Sequence, residues 1–143
     1  MRMRIEMVFM VILLAGCEQP PPVANGAKLP ADPDGITQAQ PKLPAIKLFV
    51  GAVEMEAEQA LTARQIETGM MFRKTMGENE GMIFVFQRPN SRGFWMKNCP
   101  VPMSAAYIDP QGRINEIVKL DPHNTNSVKS RSFQIQYVLE APR

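Results

Sequence analysis

The chain has 143 residues, of which 45% are hydrophobic and 21% charged, with a net charge of +2. That length holds one domain plus tails, the composition is that of a folded protein, and the charge is too small for a nucleic-acid partner. One histidine and two cysteines are too few for a paired-cysteine or histidine-based zinc site, and no glycine-rich phosphate loop or internal repeat is present.

In chain order, the first element is "MRMRIEMVFMVILLAGC". Two arginines precede an apolar run over 7–15 that ends in small residues, which is the layout of a secretory signal. The run is far shorter than the roughly 20 residues a membrane-spanning helix needs. Its end, "LAGC", resembles the lipobox of bacterial lipoproteins, with Glu6 a small departure. The resemblance implies that Cys17 receives a diacylglyceryl group and becomes the first residue of the mature chain. Each buried acyl methylene contributes about 0.8 kcal/mol, so several chains anchor firmly. Glu18 rather than Asp follows the cysteine, which by the same resemblance favours the outer membrane, facing the periplasm.

Residues 18–44 hold seven of the thirteen prolines and few large apolar side chains. Such a segment buries too little surface to offset its ordering entropy, and it reads as a Pro-rich spacer between membrane and domain.

The domain is expected over 45–143. Val53, Met55 and Ala57 alternate with Glu54, Glu56 and Glu58, a strand with one wet face. Thr62 and Gln65 form a capping box, Ala63, Ile66 and Met70 share a helical face, and Gly69 marks the helix end. "GMIFVF", 81–86, is a short, wholly apolar run and predicts a strand covered on both faces. "RPNSRG" reads as a turn and "FWMK" as the next strand. In "YIDPQGRINEIVKL", Asp109, Pro110 and Gly112 fit a type I turn followed by a bulge, so 104–109 and 113–120 should pair antiparallel. "SFQIQYVLE" puts Phe133, Ile135, Tyr137 and Leu139 on one side and Gln134 and Gln136 on the other. The expected fold class is mainly β, a compact antiparallel β-sandwich or barrel-like domain with one short α-helix.

"ETGMMFRKTMGENEGMIFVF", "GFWMKNCPVPMSAAYID" and "QYVLEAPR" together resemble the bacterial and archaeal family called domain of unknown function 192, over nearly all of 46–143. The resemblance implies a small β-sandwich with a short helix, often behind a signal peptide, and assigns no activity. Three positions depart from the pattern: Met70 and Met71 for Leu-Met, Cys99 for Thr, and Ser104 for Asp. The family also continues past "VLEAP" into a closing strand, so by resemblance a C-terminal strand is missing: either this sequence is a fragment, or its sheet has an exposed edge.

Trp95 and Lys97 share one face of the predicted 94–97 strand, opposite Phe94 and Met96. An indole beside an ammonium serves either as a ligand platform or as cover for the sheet, with the lysine stem on the ring. Asn98 either joins that surface or satisfies turn backbone, and Arg73 either meets an anionic group or forms an ion pair. Glu140, closing an apolar strand, is expected to be partly buried against an Arg or Lys. Cys99 has no neighbouring His or acid in sequence to make it a nucleophile, and His123 sits in a polar loop.

These residues point to a lipid-anchored cell-envelope module that binds without catalysis, through Trp95, Lys97, Asn98 and Arg73. Its partners are the membrane, through the anchor, and a candidate envelope glycan or protein; no catalytic residue, metal or cofactor is assigned. Two alternatives stay open. One is an envelope-polymer-modifying enzyme, which needs Glu140, Arg73 and Lys97 to converge in a cleft. The other is Cu(I) handling by Cys99 and the methionines between 70 and 103, because thioethers and thiols suit that soft ion.

Overall fold

Strands β1 (Ala45–Val50) and β2 (Val53–Ala60) open the domain as a hairpin turned by Gly51, whose φ of 62° suits glycine. The structure, a computed structural model, describes residues 35–143. The leader, the acylation position Cys17 and the first part of the spacer lie outside the described residues. Helix α1 (Ala63–Thr68) follows, then β3 (Glu80–Asn90), β4 (Gly93–Phe94), β5 (Met103–Ile108), β6 (Ile114–Leu120), β7 (Val128–Lys129) and β8 (Ile135–Pro142). Six strands form one sheet in the order β1-β2-β3-β8-β5-β6, and β4 pairs with β7 in a small second sheet. The domain is mainly β with one short helix, as expected.

The strongest local signals act where they stand in sequence. Thr62 Oγ1 accepts the Gln65 N–H, and the Gln65 side chain accepts the Thr62 N–H, which closes the capping box. Gly69 ends the helix at φ 48° and donates its N–H to the Gln65 carbonyl. The 109–112 turn is closed by the Gly112 N–H on the Asp109 carbonyl, and β5 and β6 pair antiparallel with a register shift beside it. Asp109 Oδ1 accepts the N–H groups of Arg113 and Gln111, and Arg113 Nε donates to Oδ2. The Arg113 backbone bond, with the guanidinium beside it, holds this carboxyl below the usual range.

Longer-range features depart from the expectation in four places. The pairing is not wholly antiparallel: β2 and β3 run parallel, because helix α1 lies in the connection between them and carries the chain back across the sheet. The 94–97 strand shrinks to Gly93–Phe94, since Met96 donates its N–H to the Asn124 carbonyl in a neighbouring loop rather than to a ladder. The spacer composition extends to residue 44, yet Ile36 is 3% exposed and belongs to the larger core cluster. Gln40 likewise donates to the Gly69 carbonyl at 2.9 Å. The alternation over 133–139 is broken: Ile135 joins the larger cluster, Tyr137 and Leu139 the smaller one, and Phe133 is 69% exposed. A register shift between β3 and β8 switches the face between 135 and 137. Strand β8 lies inside the sheet, between β3 and β5.

The large sheet is apolar on both faces, as the run 81–86 requires. Met82 and Phe84 enter the larger cluster and Ile83 the smaller. On β8, Val138 faces the larger cluster and Leu139 the smaller. Period-two alternation therefore sends Glu140 to the larger core, where its register neighbours are Met82 and Ala105.

Candidate functional site

A cavity of about 350 Å³ opens on that face, and Glu140 is among its lining residues. One wall is the end of α1 and the turn after it, Thr68 to Met71; the other is the segment from Ser91 to Trp95. The helix must stop at Gly69 to form this wall, and a Cβ there would already touch the Phe84 ring at 3.4 Å. The opposite wall is held by β7: Phe94 pairs with Val128, and Ser130 exchanges bonds with the Arg92 backbone. Phe94 packs edge-on against Phe84, centroids 4.8 Å apart, and against Phe86 at 6.5 Å. Met70 and Met71 complete the apolar lining.

Glu140 is 4% exposed. Its carboxyl has no hydrogen bond or ion pair among the described residues, so the expected Arg or Lys partner is not there. Burial alone pushes its carboxyl up to about 8, leaving it largely protonated at neutral pH. Cys99 also lines the cavity, and burial, with the Glu140 charge adding to it, pushes its thiol up to about 12. A thiol held protonated is a poor nucleophile and a poor metal ligand. Two thioethers, Met70 and Met71, share the cavity with it, but no group of three His, Cys, Asp or Glu among the described residues could hold a metal ion.

The four residues singled out from sequence fall in different places. Trp95 stands at the cavity edge, 40% exposed, with Lys97 Nζ 5.2 Å from its ring centroid. Asn98 lies in the turn after it at φ 56°, a conformation asparagine tolerates, and its carbonyl accepts the Phe72 N–H at 2.7 Å. Arg73 does not line this cavity. It makes a two-pronged ion pair with Glu58 at 3.0 and 2.8 Å and lines a different hollow with Lys42 and Glu80. Glu140, Arg73 and Lys97 thus do not converge in one cleft, which is the arrangement an envelope-polymer enzyme requires. His123 is exposed.

Because Trp95 is only partly covered, Trp95→Ala should cost about 1–2 kcal/mol, below the roughly 3–5 kcal/mol of a fully buried tryptophan. Urea unfolding of the single variant checks this; a larger loss would make the indole a core residue rather than a surface at the cavity mouth.

Fold and site together give a mainly β domain with an aromatic-walled cavity between its helix end and its small second sheet. The chain belongs to the domain of unknown function 192 family, DUF192, described as "Uncharacterized ACR", whose model matches residues 46–143. No curated protein matches it. Among solved structures it is similar to a protein of unknown function from Novosphingobium aromaticivorans DSM 12444, at 25% identity and TM-score 0.67, over 82% of this chain and 88% of that one. It is also similar to a candidate transcription regulator from Sinorhizobium meliloti 1021, at 32% identity and TM-score 0.61, over 63% of this chain and 70% of that one.

Proposed function

We propose that this chain is a lipid-anchored binding module of the cell envelope, held at the outer membrane by acylated Cys17 and presenting its cavity to the periplasm. The observation that carries the binding part is the cavity itself. Its volume, about 350 Å³, lies in the range of small-ligand sites, and its aromatic and thioether walls with few polar groups are their usual lining. Trp95 at the mouth supplies a stacking surface for a ring or peptide group of an envelope glycan or protein. The separation of Arg73, Lys97 and Glu140 supports binding without catalysis. Nucleic acid is not part of this reading, because a net charge of +2 over 143 residues gives little net attraction for a phosphate chain.

The anchor rests on the arginine-led apolar run and "LAGC". Cells fed labelled palmitate should incorporate it into the wild-type chain and not into Cys17→Ala, and the label should fractionate with the outer membrane. Equal labelling of both chains would remove the anchor from the reading. For binding, the chain from residue 17 onward, carrying Cys17→Ser, is titrated with N-phenyl-1-naphthylamine, a neutral apolar dye. Dye fluorescence should rise saturably and Trp95 emission should change with it. A dye signal that never saturates would reject an internal site.

A further inference from the structure

Glu140 is the one feature of the cavity that a purely apolar occupant leaves unexplained. It is 4% exposed, it lines the cavity, and no described group donates to it or pairs with it. Carboxylates are almost never buried without a partner. The β8 alternation places it between Met82 and Ala105, neither of which can satisfy it. The rings of Phe84, Phe94 and Trp95 line the same cavity, and aromatic faces carry negative charge density. The cations near the opening are committed elsewhere: the Arg92 guanidinium lies 3.8 Å over the Phe86 ring and donates to the Arg88 and Ile135 carbonyls.

We infer that the cavity takes an organic cation, a primary ammonium on an apolar body, with the ammonium on the Glu140 carboxylate and the body against the aromatic walls. This rests on the cavity being the binding site proposed above and names the chemical class of its ligand. Three donors on the ammonium match a carboxylate left with open acceptors. A neutral alcohol can hydrogen-bond the carboxyl but brings no charge to stabilise its ionised form, and an anion opposes that ionisation. The titratable and charged groups facing Glu140 are Cys99 and Tyr107, both held protonated by burial, with Glu67 and Arg92 at the cavity wall. Among the groups that line or face the cavity in the described residues, Glu140 is the one whose shifted value lies near neutrality. Binding a cation there should therefore expel its proton.

The test uses the 17–143 chain with Cys17→Ser. Trp95, the single tryptophan, reports from the cavity mouth, and the probes are n-hexylammonium, n-hexanol and hexanoate at pH 7. Hexylammonium should bind about tenfold or more tightly than hexanol, hexanoate should show no such advantage, and Glu140→Gln should erase the preference while leaving hexanol binding in place. Calorimetry in buffers of different ionisation enthalpy should show close to one proton released per hexylammonium bound, a readout that stands even where the variant fails to fold. Hexanol binding as tightly as hexylammonium, or cation binding without proton release, overturns the cation assignment and leaves the cavity as an apolar site. If none of the three probes nor the dye binds, the cavity reading falls together with it.

Discussion

Glu140→Gln should make the domain more stable at pH 9 by several kcal/mol and leave it nearly unchanged at pH 5. In the unfolded chain this carboxyl titrates near its ordinary value of 4.5, whereas burial in the native state raises it to about 8. Between those values the native state holds a proton that the unfolded state has released. Rising pH therefore withdraws stability, with a slope approaching about 1.4 kcal/mol per pH unit. The contribution is complete below the lower value, lost across the window, and absent above the upper one. Glutamine keeps the shape and cannot ionise, so the variant should lose this slope and diverge from wild type as pH rises. Urea unfolding at a series of pH values checks it. A wild-type curve flat between pH 5 and 8 would mean that the carboxyl is already paired or solvated in the folded protein.

Arg73→Ala should cost about 3–5 kcal/mol, because it strands the Glu58 carboxylate in a site where both side chains are mostly covered. Glu58 does more than neutralise the arginine. Its Oε2 also accepts the Leu43 N–H at 2.7 Å, and Arg73 reaches the Pro41 carbonyl. The pair therefore fastens the segment before β1 onto β2, and its loss should loosen residues 35–44 together with the buried Ile36. Replacing both partners, Arg73→Leu with Glu58→Leu, should recover much of the loss, since the desolvated charge is then gone as well. Thermal unfolding of the two single variants and the double separates the cases. Additive losses would show that the pair is solvent-screened and contributes little.

The residues legible from sequence share one property: their partners lie within a few positions. Thr62 and Gln65 cap the helix across three residues, and Asp109 and Gly112 close the hairpin turn across three more. The unbroken apolar run at 81–86 needs no partner to reveal that both of its faces are covered. The alternation of Phe94, Trp95, Met96 and Lys97 even survives in their burial, although only the first of them is in a strand. Trp95 could be named as a surface from that alternation alone; the cavity it borders could not.

By itself, then, the sequence determined the β-rich class, the single capped helix, the hairpin turn, and the membership in DUF192 that its motifs over 46–143 carry. Only long-range packing set β2 parallel to β3, put Ile36 in the core, paired Arg73 with Glu58, and left Glu140 without a counter-ion among the described residues. The physical reason is the range of the interactions. Caps and turns are settled by adjacent backbone groups, whereas the environment of Glu140 is set by Met82, Ala105 and the end of α1, which meet only when β3, β8 and β5 lie side by side.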